Sequence, residues 1–331
     1  MRVGVAGVGR IGSFHAGVLS RHPAVERVLV TDPDEPRAAA VAREIGAEVA
    51  PSVEALLGAV DAFVITTPTN THAELLRQAA DAGRPTFCEK PITIDLASTD
   101  EVVRHMQRRK AVVQMGFQRR FDPGYRRARE LVSTGALGRI YVVRMCGHDP
   151  HPPHDDYIPG SGGLFRDFHI HDFDIVRHVT GQEVVEVYAD GSDAGFEIFA
   201  RHGDVAAAVA TLRFSDGALG ILSGARHDPV GYDIRMELFG SGDSVAVGWN
   251  GRTPLRSLEP DGPPAPEHPY SSFLDRFDAA YRDELHAFIE VAGGRAPNPC
   301  PPEEAREAIR IAMACDLSRQ LHRPVRPDEV G

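Results

Sequence analysis

Several features that define whole classes of protein are scarce or missing in this sequence. Its 331 residues contain only four cysteines and no C-x-x-C pair, so neither a disulfide framework nor a structural zinc site is expected. No apolar run approaches the roughly 18 residues of a membrane span, and no signal-peptide pattern precedes the first apolar stretch. The net charge of −11 disfavours a polyanionic partner. We therefore predict a reduced, cytoplasmic protein without nucleic acid or membrane as a partner.

The features that the sequence does contain begin with a short apolar run over residues 2–6, which is typical of a buried strand. Gly7-Val8-Gly9-Arg10-Ile11-Gly12 follows, then a helical pattern and a second apolar strand that ends at Asp32. This order, with the acid about 20 residues beyond the last glycine, is the dinucleotide-binding fingerprint. In it Gly7 permits the turn, Gly9 lets a pyrophosphate approach the backbone and Gly12 allows close helix packing. A plain strand-to-helix turn is the alternative.

The helix start and the terminal acid indicate which dinucleotide is bound. Ile11 begins a helix whose unpaired N–H groups and positive dipole end favour phosphates. The Asp32 carboxylate can accept hydrogen bonds from the adenosine ribose hydroxyls and would repel a 2′-phosphate. The next residue is Pro33 rather than an arginine suited to such a phosphate, and Arg37 lies further along. NAD is therefore predicted over NADP.

Strand and helix patterns alternate over residues 1–118, which predicts a parallel sheet covered on both faces, an α/β Rossmann dinucleotide-binding domain. Beyond it, residues 164–180 are predicted to form one helix, and consecutive strand-like runs follow, among them 196–200. Asp216-Gly217 is a hairpin turn signal. We therefore predict a second, α+β domain over 119–331 with a large, mostly antiparallel sheet, and a C-terminal helix that can pack back on the first domain.

Ligands of parallel sheets bind beyond the carboxyl ends of the strands, so residues that directly follow the predicted strands are candidate site residues. Besides the glycine turn and Asp32, they lie in Thr67-Pro68-Thr69-Asn70-Thr71-His72 and in Glu89-Lys90-Pro91. The predicted cofactor-binding residues are Gly7, Gly9, Arg10, Ile11, Gly12, Asp32, Thr67, Asn70, His72, Glu89 and Lys90.

Three ionisable residues suit the oxidation of an alcohol. Lys90 follows a strand at the cofactor end, and Asp167 and His171 lie four apart on one predicted helix, hence on one face. An imidazole can accept the hydroxyl proton near neutral pH, a carboxylate can orient it, and an ammonium can stabilise the oxygen as it loses its proton. A hydride would pass from carbon to the nicotinamide. A solvated lysine and an ordinary surface Asp–His pair are the alternatives.

Metal binding is another use of these residue types. Asp167, His169, His171 and Asp172 could ligate a metal, but residues two apart on a helix, such as the two histidines, point roughly 200° from each other. A second cluster matches no recognised zinc spacing. It consists of His148, His151, His154, Asp155 and Asp156. We predict no metal, and we assign the second cluster to a pocket rim or a surface loop.

Four motifs in this order resemble the Gfo/Idh/MocA oxidoreductase family, most of all its inositol 2-dehydrogenase branch. They are the glycine turn, residues 67–72, Glu89-Lys90-Pro91, and Gly162-Gly163-Leu164-Phe165-Arg166-Asp167-Phe168-His169-Ile170-His171-Asp172-Phe173-Asp174. Gly116-Phe117-Gln118-Arg119-Arg120-Phe121-Asp122 and Gly231-Tyr232-Asp233 also look like segments of that family. The similarity spans nearly the whole chain.

The resemblance implies catalytic roles for residues that match the family motifs. Lys90 would contact both substrate and nicotinamide, and the peptide bond before Pro91 would be cis. His171 would be the proton acceptor, with Asp167 supporting it.

The resemblance also implies a substrate pocket and an assembly. Arg120, His148 and Tyr232 would approach a polyol, and the loop over 148–163 would set the choice of substrate. The sheet of the second domain would be open-faced and used for packing into a homodimer or homotetramer.

The leading hypothesis is NAD-dependent oxidation of a secondary hydroxyl of a cyclic polyol or sugar, with myo-inositol oxidised to 2-keto-myo-inositol as the expected case. One alternative is a related sugar dehydrogenase acting on levoglucosan, an amino-cyclitol or a nucleotide sugar. Another is a catalytically silent NAD-binding regulator. The presence of Lys90, Asp167 and His171 together argues against the regulator.

Overall fold

The computed structural model describes all 331 residues, which form two compact units. The first consists of residues 1–118 and 279–307, and the second of residues 119–278 and 308–331. Residues 279–307 therefore belong to the first unit, although the chain leaves that unit after residue 118 and returns to it later.

The first unit has a six-stranded parallel sheet in the order β3-β2-β1-β4-β5-β6. Its strands are β1 (Arg2–Ala6), β2 (Arg27–Thr31), β3 (Glu48–Val49), β4 (Ala62–Ile65), β5 (Thr86–Glu89) and β6 (Val113–Gly116). The helices between them are α1 (Arg10–Leu19), α2 (Glu35–Ile45), α3 (Val53–Ala59), α4 (Thr69–Asp81) and α5 (Leu96–Arg109). The strand order reverses between β1 and β4, which is where such sheets bind ligands.

Local sequence explains the ends of these helices. The Ser52 side chain accepts a hydrogen bond from the Ala55 N–H at 3.1 Å and so caps the start of α3. Asp34 caps α2 in the same way, and Gly46 ends it in the left-handed conformation that glycine adopts without a steric cost. All four residues of β4 are buried, as expected for a strand covered on both faces.

The second unit is built on a six-stranded mixed sheet in the order β12-β11-β7-β10-β9-β8. Its strands are β7 (Ile140–His148), β8 (Val184–Ser192), β9 (Ala207–Phe214), β10 (Leu219–Ala225), β11 (Asp233–Gly240) and β12 (Ser244–Val247). Its helices, with the two that join the units, are α6 (Pro123–Ser133), α7 (Ile158–Ser161), α8 (Leu164–Asp167), α9 (Ile170–Thr180), α10 (Glu197–Arg201), α11 (Phe273–Ala292) and α12 (Pro302–Leu321). Every pair of strands is antiparallel except β7 and β10. The predicted Asp216-Gly217 hairpin joins β9 to β10.

Two sequence predictions in this unit are wrong. Residues 196–200 were expected to be a strand, but the chain forms α10 there, because Phe196 and Phe199 lie three apart and pack edge to face, 6.2 Å between ring centroids. The single helix expected over 164–180 is two helices. The His169 N–H bonds to the Leu164 carbonyl five residues back, at 3.1 Å, and this wider turn separates α8 from α9.

One face of the second sheet is packed against the turn between α8 and α9. A Cβ atom on Gly224 would lie 2.2 Å from the His169 ring, and one on Gly147 would lie 2.6 Å from Phe168. Glycines at these two positions therefore allow the turn to approach the sheet. The opposite face carries Tyr188, Val209, Leu219 and Ile221, which are 40%, 57%, 46% and 47% exposed. No helix of the chain combines the length and the apolar character that a membrane crossing requires.

Candidate active site

The glycine turn of the first unit has the geometry of a nucleotide-binding loop. Gly7 has φ +85°, and a Cβ atom on Gly12 would lie 2.0 Å from the Gly7 carbonyl oxygen, so both positions require glycine. A Cβ atom on Gly9 would meet nothing within 4 Å, so this backbone faces open space. Arg10 and Ile11 are the first residues of α1, and no side chain caps the helix. Its first N–H groups are thus available to a pyrophosphate.

Asp32 is held in one orientation beside this turn. Its Oδ2 accepts a hydrogen bond from the Val8 N–H at 2.8 Å, and its Oδ1 accepts one from the Asp34 N–H at 2.9 Å. Arg37 lies closer to Asp32 than the sequence suggested. One of its guanidinium nitrogens is 3.5 Å from the Asp32 carboxylate, and another is 2.8 Å from the Asp34 carboxylate. Because two carboxylates surround that one cation, the local charge disfavours a 2′-phosphate and fits NAD.

The loop after β4 is tied to the glycine turn and to Pro91. The Thr66 hydroxyl donates to the Gly7 carbonyl at 2.6 Å, and the hydroxyls of Thr67 and Thr71 are 2.6 Å apart. His72 is 1% exposed, with Nδ1 2.7 Å from the Pro91 carbonyl and Nε2 2.8 Å from that of Thr67. Burial lowers the pKa of His72, and the neutral ring donates to one carbonyl at a time.

These contacts fix the orientation of one predicted residue. His72 lies buried between two carbonyl oxygens, and a contact of its ring with the cofactor stays a prediction. Asn70, in the first turn of α4, is exposed. The cofactor contacts predicted for Thr67 and Asn70 stay predictions.

The turn that carries Lys90 is braced by a residue that the sequence analysis missed. The peptide bond between Lys90 and Pro91 is cis, as the family resemblance implied. The Oε1 atom of Glu89 lies 2.7 Å from Nε2 of His15, within hydrogen-bond distance. His15 is a residue of α1 with a fully buried side chain. His15 thus links the helix that begins at the nucleotide turn to the residue before Lys90. Its position three residues after Gly12, inside a helix with a buried face, was the only signal for it.

In the second unit, Asp167 is held by two residues that sequence reasoning also missed. Its Oδ1 accepts from the Tyr157 hydroxyl at 2.9 Å, and its Oδ2 accepts from the Arg226 guanidinium at 2.8 Å. Arg226 is 4% exposed and also lies 3.2 Å from Asp149. Asp167 ends α8, and His171 is the second residue of α9. The support that Asp167 gives to His171 stays a prediction.

A buried ion-pair network lies next to this pair. The Asp172 carboxylate bonds to the Arg119 guanidinium through Oδ1 and to His169 Nδ1 through Oδ2, the latter at 2.8 Å. All three side chains are at most 1% exposed. Burial lowers the pKa of His169 in spite of the neighbouring carboxylate, so the ring is neutral at pH 7. The network therefore pairs Asp172 with both Arg119 and His169.

The three predicted substrate residues have different surroundings. Arg120 is 6% exposed, and its guanidinium lies 2.9 Å and 2.5 Å from the two oxygens of Asp174, so it is held in a buried ion pair. Tyr232 is 5% exposed and packs edge to face on Phe277, and burial raises the pKa of its phenol well above the usual range. Their contacts with a substrate stay predictions.

His148, the third of these residues, is partly exposed and ends β7. Its Nδ1 lies 3.6 Å from Asp233, and the Asp233 carboxylate also lies 3.7 Å from the Cys146 thiol. Burial and that carboxylate raise the pKa of the Cys146 thiol to about 12. A contact of His148 with substrate also stays a prediction.

Comparison with known families and proteins agrees with this arrangement. Residues 1–117 match the oxidoreductase family with an NAD-binding Rossmann fold, and residues 125–246 match the GFO/IDH/MocA C-terminal domain. The chain is 36% identical to myo-inositol 2-dehydrogenase of Thermotoga maritima, over 100% of this chain and 99% of that protein. It is 34% identical to scyllo-inositol 2-dehydrogenase (NAD(+)) of Bacillus subtilis, over 90% of this chain and 88% of the relative.

Solved structures give the same result. The structure of myo-inositol dehydrogenase from Lactobacillus casei in complex with NAD(H) and myo-inositol has a TM-score of 0.85 at 26% identity, over 98% of this chain and 96% of that one. The cofactor that the turn at Gly7 and the fixed Asp32 accept is NAD. The two matched domains and the full-length relatives show that this chain belongs to the Gfo/Idh/MocA family of NAD-dependent oxidoreductases.

Proposed function

We propose that this protein oxidises one ring hydroxyl of an inositol to a ketone with NAD, with myo-inositol and 2-keto-myo-inositol as the expected pair. The observation that carries this proposal is the full-length similarity to inositol dehydrogenases, in a chain that also has Lys90, Asp167 and His171 in the family motifs. The site chemistry agrees with it, because removal of a proton and a hydride from one carbinol needs a base and a stabilised oxygen.

Each of the three residues has one part in the reaction. His171 takes the hydroxyl proton on its imidazole as the C–H bond breaks. Lys90 holds the same oxygen with its ammonium group while negative charge develops there. Asp167, itself oriented by Tyr157 and Arg226, favours the protonated form of His171. Bound NAD accepts the hydride that leaves carbon, so one C–H and one O–H bond are exchanged for a C=O bond.

A panel of substrates tests the proposal. Purified protein with NAD is mixed separately with myo-inositol, scyllo-inositol, levoglucosan and glucose, and NADH is followed by its absorbance. We expect the highest kcat/KM for an inositol. NADH formation with levoglucosan or glucose alone would instead favour the related sugar dehydrogenase. If NAD binds, as measured by calorimetry, and no compound yields NADH, the proposed activity is wrong.

We propose further that the protein is a cytoplasmic homodimer or homotetramer that uses the exposed sheet face of Tyr188, Val209, Leu219 and Ile221. Four large apolar side chains on one face are the kind of surface that protein contacts cover. Light scattering after size-exclusion chromatography should show the oligomer, and Ile221→Glu should reduce the mass to that of one chain. An unchanged mass for that variant would place the interface elsewhere.

A further inference from the structure

Three side chains of the second unit form a cluster that the proposed reaction does not use as a whole. Cys146 and His148 lie two apart on β7, so their side chains are on the same face of the sheet. Asp233 is paired directly with His148 in the neighbouring strand β11. Gly147, between the two β7 residues, faces Phe168 on the opposite side. Two hydrogen-bonded strands therefore hold a thiol, an imidazole and a carboxylate together.

Two of the distances between their polar atoms are close to those between the ligand atoms of a metal. The Asp233 Oδ2 atom lies 3.7 Å from Cys146 Sγ and 3.6 Å from His148 Nδ1, and the three possible ligand atoms are all within 4.8 Å of one another. Tetrahedral zinc, with bonds of about 2.0–2.3 Å, places ligand atoms roughly 3.3–3.6 Å apart. His148 Nδ1 is buried, and apart from Asp233 at 3.6 Å it has no polar partner within hydrogen-bond distance.

The carboxylate of the cluster is oriented from outside. Arg235 donates to Asp233 at 2.9 Å through Nε and at 2.9 Å through a terminal nitrogen, and its guanidinium lies 5.6 Å from the Trp249 ring centroid. Metal-bound carboxylates are commonly held by such outer hydrogen bonds. Arg235 also adds a positive charge that weakens attraction for a cation, so a metal needs the charge of a Cys146 thiolate as well as that of Asp233.

We propose that Cys146, His148 and Asp233 bind one zinc-class divalent cation. Sulfur and nitrogen ligands favour zinc over magnesium or calcium, and three protein ligands leave the fourth tetrahedral position to water. On binding, the S–H bond of Cys146 breaks, an S–Zn bond forms and the proton passes to solvent. The three side chains come together without NAD or polyol, so zinc binding can be measured separately from the proposed reaction.

Zinc binding and cobalt spectroscopy test the proposal on the full chain without NAD or polyol. The protein is treated with a chelator, freed of it, and dialysed against ZnCl2, and metal per chain is measured by mass spectrometry. We expect one zinc per chain at micromolar concentrations. Co²⁺ in the same site should show the near-ultraviolet absorption of a sulfur-to-cobalt transition and the visible intensity of tetrahedral coordination.

Variants separate this site from adventitious binding. Cys146→Ser should abolish the sulfur-to-cobalt absorption and weaken zinc binding at least about tenfold, and His148→Gln should weaken zinc binding to a similar degree. His151→Gln, which removes an exposed histidine three residues further along, should leave binding unchanged. Circular dichroism checks that each variant is folded. The proposal is wrong if less than one zinc binds, if the sulfur-to-cobalt absorption is missing, or if His148→Gln binds zinc like the unmodified chain.

Discussion

The two units present their functional residues in different ways. In the first, the nucleotide loop is built from backbone, with glycines at Gly7 and Gly12 and a single acid, Asp32, held by backbone N–H groups. In the second, Asp167 and Asp172 are held by buried arginines from distant parts of the chain. A backbone site tolerates little added volume, whereas a network of charged side chains tolerates little loss of charge. The following substitutions test that difference.

The largest effect is expected from the residue assigned as the base. His171→Ala removes the proton acceptor, so kcat for inositol oxidation should fall by roughly 10²–10⁴-fold. The Kd for NAD should change by less than about threefold, since the nucleotide loop belongs to the other unit. Stopped-flow kinetics and calorimetry measure the two quantities. A variant with normal turnover would remove His171 from the mechanism.

The next largest effect, on the free energy of unfolding rather than on kcat, should follow from breaking the buried network of Arg119, His169 and Asp172. Asp172→Ala leaves the Arg119 guanidinium buried without its carboxylate, which costs about 3–5 kcal/mol of unfolding free energy. Asp155→Ala is the matched control, because it breaks only exposed pairs, with Arg201 and with His202, each of which contributes at most about 1 kcal/mol. Urea unfolding measures both. Equal losses for the two variants would contradict the role of burial.

Added volume in the nucleotide loop should have a smaller effect on stability and a specific effect on binding. Gly12→Ala forces a Cβ atom to within 2.0 Å of the Gly7 carbonyl oxygen, and overpacking of this kind costs about 1–3 kcal/mol. NAD binding should weaken as the turn shifts. Gly58→Ala, at a position in α3 with nothing within 4 Å of the added atom, is the control and should keep full affinity. Calorimetric titration with NAD distinguishes the two variants.

The effect that is smallest near neutral pH is a pH dependence of stability in the second unit. Burial, with the Arg120 and Arg129 charges, lowers the pKa of His178 to about 3 in the folded chain, whereas an unfolded histidine titrates near about 6.5. The unfolded state therefore binds more protons below about pH 6.5, and the stability that the neutral ring contributes is lost as pH falls from about 6.5 toward 3.

A variant isolates this contribution. His178→Gln should make the fall in unfolding free energy shallower by about 1.4 kcal/mol per pH unit in that window. His151→Gln, in an exposed loop, should leave the slope unchanged. Urea unfolding at several pH values measures both slopes. Identical slopes for the His178 variant and the unmodified chain would refute the assignment.

The sequence predicted local features of the fold well and contacts between distant residues poorly. The alternating strands of the first unit and the Asp216-Gly217 hairpin are confirmed, because each depends on neighbouring residues. The strand expected over 196–200 is wrong, because a five-residue stretch with apolar side chains at 196 and 198–200 fits either period. The helix expected over 164–180 is interrupted, because tertiary packing of His169 against the sheet determines the turn there.

The candidate site shows the same difference between features set by neighbouring residues and contacts between distant ones. The glycine turn, its acid and the Glu89-Lys90-Pro91 turn were identified from short motifs, whose spacing is set by the dimensions of a strand, a turn and a helix. His15, Tyr157 and Arg226 were missed, because nothing near them in sequence shows which acid they contact. The Cys146, His148 and Asp233 cluster was missed for the same reason, since its third member lies 87 residues beyond its first.

Sequence alone was enough to identify the family and the NAD-binding turn and to predict the types of residue that would carry the chemistry, since each of these depends on short stretches with local steric and charge requirements. Tertiary structure alone decided which arginine faces Asp167, which histidine stays neutral and where the long helix breaks. These outcomes depend on burial and on pairing between residues far apart in the chain, and the free energy of a charge is set by its final surroundings.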